Sequence, residues 1–248
     1  MGASAETQER GWRNSAATIV RNAIESGGQD YWRRSDFPQL PPGAVSQALS
    51  RLAREAFIER ASKGIYYHAR PTAFGKSRPS PTAIQSLSGA GKKVFPAGVH
   101  AANLLGFTTQ TAPHGEYATT AGSLPKTLTG KRARVYTRRP PGWNELSEAE
   151  AATLDFLRRR ARTSELPPHE TIERLLTLLG DQAMYERLAR AALCEPPRVR
   201  VMLGAIGQEL HVNPKTLQQL RDSLNPVSRF DFGALAGLRH AREWQAKA

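Results

Sequence analysis

The chain has 248 residues and a mass of 27.2 kDa, enough for one large domain or two ordinary ones with a sizeable core. Hydrophobic residues account for 40% and charged residues for 23%, a composition that excludes disordered and collagen-like proteins. No run approaches the roughly 18 consecutive apolar residues that a membrane span needs, and the polar first ten residues do not resemble a secretory signal. We therefore expect a soluble, cytoplasmic protein with no membrane partner.

Positive charge is concentrated in the first part of the chain. The 35 Lys and Arg exceed the 22 Asp and Glu by 13, and the pI is near 10.4. Residues 1–80 contain 12 basic and 7 acidic side chains, residues 81–142 contain 8 and 1, and residues 143–248 contain 15 and 14. A basic region joined to a nearly neutral one indicates that one end binds a polyanion and the other end has a different role.

The N-terminal region predicts a helix, a short second helix and a turn. Residues 13–25 have apolar side chains at helical spacing, and the two glycines at 27 and 28 end that helix. Either Ser35 or Asp36 is suited to cap a brief second helix with Pro38 in its first turn. Residues 41–43, Pro-Pro-Gly, predict a turn.

The clearest pattern is a helix with one apolar and one polar, basic face. An advance of about 100° per residue places the apolar side chains in one arc: Val45, Ala48, Leu49, Leu52, Ala53 and Ala56. The opposite face consists of small, polar or basic residues: Ser46, Gln47, Ser50, Arg51 and Arg54. Glu55 lies at its margin. A helix that enters the major groove of DNA avoids carboxylates there and uses Arg and Gln to contact phosphates and base edges.

Two β-prone runs follow, residues 57–61 and 65–68, and a Ser-Lys-Gly turn separates them, which predicts a hairpin. Helix, short helix, polar-faced helix and hairpin is the order of a winged helix-turn-helix, in which the third helix enters the major groove and the hairpin tip touches the backbone. We expect base contacts from the polar face and phosphate contacts from Arg60 and Lys63, with Arg33 and Arg34 as further backbone contacts. The alternative is a small α+β domain with a purely structural hairpin.

The middle of the chain predicts a linker and a small mixed region. Residues 70–92 are rich in Pro, Ser and Gly and predict a linker. Strands are expected at 93–95 and 116–120, a short helix at 98–105, and a second hairpin with arms 127–129 and 132–137. Five basic side chains there either extend a nucleic-acid interface or belong to a solvated hairpin, and both options stay open: Lys131, Arg132, Arg134, Arg138 and Arg139.

Helix-start signals predict a C-terminal bundle of four or five helices. Ser147 and Glu150 form a capping box, and Asp181 is suited to cap another helix. The proline pairs at 167–168 and 196–197 and the Asn-Pro pair at 213–214 mark three more helix starts. The predicted fold class is α+β, with a winged helix-turn-helix at 1–72, a basic mixed region at 73–142 and a helical domain at 143–248.

The sequence contains no catalytic constellation, so we expect no enzymatic activity, no cofactor and no metal. One cysteine, Cys194, excludes internal disulfides and multi-cysteine metal sites, and its place near the end of an apolar helix predicts a buried thiol. The stretch at 88–93 is similar to the end of a phosphate-binding loop but has Lys93 where a Ser or Thr is required, so we interpret it as linker.

Two blocks of sequence occur in a specific order. The first is Ala48-Leu49-Ser50-Arg51-Leu52, followed by Phe57-Ile58, Arg60 and Gly64-Ile65-Tyr66-Tyr67. The second, at 101–110, is an alanine-rich stretch followed by a glycine and the triplet Thr108-Thr109-Gln110. Together they resemble the AbiEi-type antitoxins of bacterial type IV toxin–antitoxin systems over about residues 13–140. One departure is Ala56, where that family usually has a glycine.

The resemblance implies a repressor that binds double-stranded DNA at its own promoter through the winged helix, with a homodimer on the DNA as an option. It also implies that the protein counteracts a nucleotidyltransferase-like toxin, with no need for direct contact, and that its C-terminal part provides the antitoxin activity.

Two other functional classes compete with this interpretation. One is a stand-alone winged-helix regulator without a toxin. The other is an RNA-binding or nucleic-acid-processing protein that uses the basic middle region. A metal-dependent nuclease there would need clustered carboxylates, and Glu116 is the only acidic residue between 81 and 142. A pure protein-interaction scaffold leaves the uneven charge unexplained.

Overall fold

In the computed structural model, the described residues are 15–27, 31–69, 71–72, 75–76, 93–112, 114–124, 129 and 132–247. The chain divides into a first unit, residues 1–87 with 125–131, and a second unit, residues 88–124 with 132–248. Helices and small sheets both occur, so the fold is α+β as predicted. The predicted boundary at residue 142 is wrong, because a single apolar core extends from Phe95 to Trp244 and includes side chains on both sides of that position.

The first unit contains two helices and five short strands among its described residues. Their bounds are α1 Ala16–Ser26, β1 Tyr31–Arg33, α2 Pro42–Arg54, β2 Glu59–Ser62, β3 Ile65–Tyr67, β4 Pro71–Thr72 and β5 Gly75–Lys76, with a 3-10 turn at Arg34–Asp36 between β1 and α2. β1, β3 and β2 form an antiparallel sheet in that order, and β4 pairs with β5. The linker predicted at 70–92 lies outside the described residues apart from β4 and β5.

The core of the first unit forms between α1, α2 and the sheet. Buried apolar side chains from all three contribute to it: Val20, Ile24, Trp32, Phe37, Val45, Ala48, Leu49, Leu52, Ile58 and Tyr66. The apolar arc predicted for α2 is therefore its buried face, except that Ala53 is half-buried and Ala56 lies beyond the helix end. Burying one such face removes several large side chains from water, at about 1.5–3 kcal/mol for each Val, Leu, Ile or Phe.

Two local predictions for the first unit differ from the structure, and one strand was not predicted. Pro42 begins α2 instead of lying in a turn, which suits a residue with no N–H to donate at the first helical position. The second helix is only one 3-10 turn, and it ends before Pro38. Strand β1 was not predicted, because three residues are too short to show a pattern; its pairing with β3 is what identifies it.

The second unit contains a small sheet and six helices among its described residues. Their bounds are β6 Val94–Pro96, α3 Gly98–Leu104, β7 Glu116–Thr119, β8 Arg134–Tyr136, α4 Glu148–Arg158, α5 Pro168–Leu178, α6 Gln182–Ala192, α7 Pro197–Glu209 and α8 Pro214–Asp222, with 3-10 turns at Pro141–Glu145 and Gly233–Leu235. All five predicted C-terminal helices form where expected. Ser147 and Asp181 cap α4 and α6, and Asn213 caps α8, each by accepting a backbone N–H.

The prediction of a second hairpin is wrong. β8 pairs with β7 in parallel, at the edge of a sheet with the order β6-β7-β8. The other arm, residues 127–129, lies outside the described residues except for Thr129, which is helical. A parallel pair needs a crossover connection instead of a tight turn, and a local pattern of turn residues does not distinguish the two.

The C-terminal tail after α8 follows a three-residue repeat. Every third side chain is buried: Phe232, Leu235, Leu238, Ala241 and Trp244. Each of the last four donates its N–H to the carbonyl of the buried residue before it, at 3.1 Å. This spacing is that of 3-10 turns, and it lays the tail along the core of the second unit.

Candidate nucleic-acid interface

The exposed face of α2 is polar and basic and contains no carboxylate. All five predicted base-contacting residues lie on it and are exposed: Ser46, Gln47, Ser50, Arg51 and Arg54. The helix from Pro42 to Arg54 includes no acidic residue at any position. Packing of Val45, Leu49 and Leu52 into the core fixes which side of the helix faces outward.

Hydrogen bonds occupy most of the polar groups on this face. Ser46 Oγ donates to the Pro42 carbonyl at 2.9 Å, and Arg54 Nε donates to the Ser50 carbonyl at 3.5 Å. Ser50 Oγ and the Tyr66 hydroxyl are 3.4 Å apart, so the helix face and strand β3 are linked through side chains. No hydrogen bond to the Gln47 amide is found among the described residues.

Arg51 is engaged by the acidic residue at the margin of the face. Its Nε donates to Glu55 Oε1 at 2.9 Å, while 71% of the Arg51 side chain stays exposed. The other oxygen of Glu55 lies 3.7 Å from Arg21 Nη1 on α1. Because exposed ion pairs contribute at most about 1 kcal/mol, the Arg51 guanidinium can exchange Glu55 for a phosphate or a base edge at small cost.

The turn between β2 and β3 contains Lys63, one of the two residues that were predicted to contact phosphates from the hairpin. Lys63 is exposed there beside Gly64, whose φ of 76° lies in the left-handed region that favours glycine. Arg60 is exposed on β2 opposite Tyr66, just before an irregularity in the strand register. We call Arg60, Lys63 and Gly64 the basic turn.

The two predicted contacts from the first strand differ in exposure. Arg34 is exposed, whereas Arg33 is half-buried and pairs in register with Ile65. The Arg33 backbone N–H donates to Asp36 Oδ2 at 2.6 Å. The structure therefore brings a carboxylate next to this pair, which weakens the positive potential at Arg33 and Arg34.

Only some of the five basic residues predicted in the middle region are exposed. Arg132, Arg134 and Arg138 are exposed, and Lys131 lies outside the described residues. The prediction for Arg139 is wrong, because its side chain is only 9% exposed and its Nη2 donates to Asp155 Oδ1 at 2.6 Å. A buried guanidinium with a carboxylate partner does not reach a nucleic acid, so we remove Arg139 from the interface.

One carboxylate accepts hydrogen bonds from all three residues of the Thr108-Thr109-Gln110 triplet. Glu165 accepts hydrogen bonds from the Thr108 hydroxyl, from the Thr109 backbone N–H at 3.0 Å and from Gln110 Nε2 at 2.5 Å. These bonds, with the Thr108 hydroxyl first, lower the pKa of Glu165 below its ordinary value. The triplet therefore anchors residues 108–110 to the segment that precedes α5.

Neither a metal site nor a membrane span appears in the described part of the chain. It contains no group of three or more His, Cys, Asp or Glu placed to hold an ion. None of its helices is long and apolar enough to cross a bilayer.

Cys194 is exposed, contrary to the buried thiol that was expected, because α6 ends at Ala192 and the cysteine lies in the turn that follows.

Sequence reasoning missed one member of the exposed face of α2. Gly43 was interpreted as part of a turn, but it lies in the first turn of the helix, four residues before Gln47 and on the same side. The signal was present: a Pro-Gly pair before an amphipathic run is consistent with Pro at the first helical position.

Comparisons with known proteins give no family. No family model matches the chain, and no curated protein matches it. Among solved structures, the chain is similar to the crystal structure of the RV2827C protein from Mycobacterium tuberculosis, with 17% identity over 90% of this chain and 86% of that chain and a TM-score of 0.45.

Proposed function

We propose that the first unit is a winged helix-turn-helix and that the protein is a sequence-specific DNA-binding repressor without catalytic activity. The observation on which this depends most is the exposed face of α2, a 13-residue helix with Gln and Arg on its outer side and no acidic residue. Arg and Gln are the side chains that pair best with guanine and adenine edges in the major groove.

The order of elements supports this proposal. In the first unit, α1, the 3-10 turn at Arg34–Asp36, α2 and the β2–β3 hairpin follow one another as the helices and wing of that domain do, with β1 as the third strand of the wing sheet. In such domains the helix before the wing enters the major groove, and the wing tip touches the DNA backbone. The basic turn then contacts phosphates.

The roles of the two contact types are separable by substitution. We expect Arg51→Ala to weaken binding to the preferred sequence by about 1–3 kcal/mol and to relax specificity, since a base contact is lost. We expect Lys63→Ala to weaken binding to all sequences alike and to flatten the dependence of affinity on salt by about one unit. Equal losses on preferred and scrambled duplexes for both variants would contradict these roles.

The antitoxin role in a type IV toxin–antitoxin system is a further part of the proposal and depends on the sequence resemblance. The nearly neutral residues 143–248, which contribute most of the apolar core of the second unit, are suited to this second activity. The gene beside this one is the test. A nucleotidyltransferase-like neighbour that arrests growth when expressed alone, and whose effect this protein relieves, supports the role.

A double variant distinguishes repression of the promoter from neutralisation of the toxin. Arg51→Ala combined with Lys63→Ala is expected to abolish promoter binding and to leave relief of growth arrest intact, because both residues belong to the first unit. Absence of a toxic neighbour, or growth arrest that the wild-type protein does not relieve, would leave a stand-alone winged-helix regulator as the function.

A further inference from the structure

One ridge runs along the centre of the exposed face of α2. Gly43, Gln47, Ser50 and Arg54 follow each other at intervals of four, three and four residues, which places them in one line along the helix. This line is opposite the buried side chains of Val45 and Leu52. These four residues are the most outward-facing part of α2, and we call them the α2 ridge.

The fold does not require glycine at position 43. A Cβ added at this position would meet nothing within 4 Å, and its φ is not in the left-handed region. Glycine in a helix costs up to about 1 kcal/mol relative to alanine. Neither a close internal contact nor the backbone conformation requires glycine here, and the missing side chain leaves open space beside the first turn of the helix that an outside partner can occupy.

Gln47 is the long side chain of the α2 ridge that has no hydrogen-bond partner among the described residues. Arg54 Nε donates to its own helix, and Arg51, beside the ridge, is paired with Glu55. Gln47 is exposed and lies one turn after Gly43. Its amide offers one acceptor and two donors to whatever faces this part of the helix.

We propose that Gln47 selects an adenine in the major groove and that Gly43 leaves the space in which the base pairs approach α2. The side-chain oxygen of Gln47 accepts from adenine N6–H, and its Nε2 donates to adenine N7, a bidentate pair that no other base offers in the same pattern. The N-terminal part of a groove-bound helix is where base edges are contacted. This inference rests on the proposed DNA-binding function.

Selection from a randomised duplex library tests it, with the full-length wild-type chain and Gln47→Arg in parallel. The wild type is expected to enrich a sequence with an invariant adenine, and Gln47→Arg is expected to replace that adenine by guanine, because Arg pairs with guanine O6 and N7. Gln182→Arg, the same change at an exposed position in the second unit, is the control and is expected to leave the enriched sequence unchanged.

An atomic substitution in the DNA gives a second, independent readout. Replacing the invariant adenine by 7-deazaadenine removes the N7 acceptor and keeps the base pair. The wild type is expected to lose about 10-fold or more in affinity, whereas Gln47→Ala is expected to bind both duplexes equally. An equal loss for wild type and Gln47→Ala overturns the assignment.

Gly43→Leu tests the close approach. We expect at least about a tenfold loss of affinity for the enriched duplex, together with an unfolding midpoint no lower than that of the wild type, since the added side chain enters open space. Unchanged affinity overturns the part assigned to Gly43. An enriched sequence that Gln47→Arg does not alter overturns the part assigned to Gln47 and leaves the repressor intact, whereas no enrichment by the wild type overturns both.

Discussion

Arg139 and Asp155 form an ion pair inside the second unit. Their side chains are 9% and 1% exposed, and Arg139 Nη2 lies 2.6 Å from Asp155 Oδ1. The other oxygen of Asp155 accepts from the Gly98 backbone N–H at 2.8 Å and from Arg159 Nε at 2.7 Å. One carboxylate thus joins the chain after β8, the start of α3 and the end of α4. Burial and the nearby Arg158 lower the pKa of Arg139, while Asp155 opposes that shift.

Asp155→Ala should therefore be strongly destabilising. It leaves the buried Arg139 guanidinium without its carboxylate, and breaking a buried pair in this way costs about 3–5 kcal/mol. The free energy of unfolding from urea denaturation of the full chain measures the effect. Glu148→Ala, an exposed position in the first turn of the same helix, is the control and should cost less than about 1 kcal/mol. A loss for Asp155→Ala no larger than the control would contradict this assignment.

Glu150 makes the stability of the second unit sensitive to acid. Burial alone would raise the pKa of Glu150, but the Ser147 backbone N–H at 2.8 Å and the Arg187 side chain at 2.6 Å hold it below the ordinary value of 4.5. A lowered pKa contributes stability above the unfolded value, and this contribution is lost as the pH falls through the folded value. Unfolding free energy should thus decline below about pH 4.5. Glu150→Gln should be less stable at pH 7 and should decline less steeply; curves that stay parallel would count against this role.

Gly204 in α7 is required by a tryptophan. A Cβ at this position would lie 2.1 Å from Cζ3 of the buried Trp244 ring, whose Nε1 donates to Gln208 Oε1 at 2.7 Å. Because burial and this hydrogen bond hold the ring in place, it cannot move away from an added methyl group without losing packing contacts or the bond. Gly204→Ala should therefore destabilise the chain by about 1–3 kcal/mol. Gly43→Ala, the same change in a helix with open space around it, should be neutral or stabilising by up to about 1 kcal/mol. Thermal denaturation of both variants checks this, and a similar shift in both would refute it.

Ala56 occupies a position that suits glycine. Its φ is 56°, and the Phe57 N–H donates to the Leu52 carbonyl while the Ala56 N–H donates to the Ala53 carbonyl, as in a Schellman motif. The left-handed conformation costs a non-glycine residue about 1–2 kcal/mol. Glycine avoids that cost, but it lowers the free energy of unfolding by about 0.4–1 kcal/mol because it gives the unfolded chain more conformational entropy. Ala56→Gly should thus stabilise the first unit by about 0.5–1 kcal/mol in urea denaturation. Ala53→Gly, inside α2, should have the opposite sign.

Glu55 should restrain binding to DNA of any sequence. It pairs with Arg51 at 2.9 Å and is the acidic residue nearest to the exposed face of α2 along the chain. Glu55→Gln releases Arg51, so anisotropy with a scrambled duplex should show about two- to fivefold tighter binding. Glu25→Gln removes the same charge from a pair with Arg21 on α1 and should have a smaller effect. Equal effects of the two variants would show that only net charge matters.

The parts of the fold that were predicted from sequence depend on local signals. Ser147 and Asp181 bond to backbone N–H groups within three residues of themselves, so their identity is enough to mark a helix start. The apolar arc of α2 is likewise a local pattern, and its buried side is the predicted one. The exposed residues of that helix follow directly from it.

Two of the errors concern partners that are distant in the sequence. β8 pairs with a strand that ends 15 positions before it begins, and Arg139 is buried by a carboxylate 16 positions away. Local sequence does not reveal either relationship. The tail from Phe232 to Trp244 is buried at intervals of three, a spacing that matches neither the helical nor the strand period and was not predicted.

The most direct test of DNA recognition is fluorescence anisotropy with the duplex upstream of this gene, beside a scrambled duplex of equal length, across a salt series. We expect tight binding to the upstream duplex and a preference over the scrambled one that persists near 0.2 M salt, since base contacts depend on salt far less than phosphate contacts do. Equal and steeply salt-dependent binding to both duplexes would contradict sequence-specific recognition by α2 and would reduce the positive charge of the first unit to nonspecific attraction for polyanions.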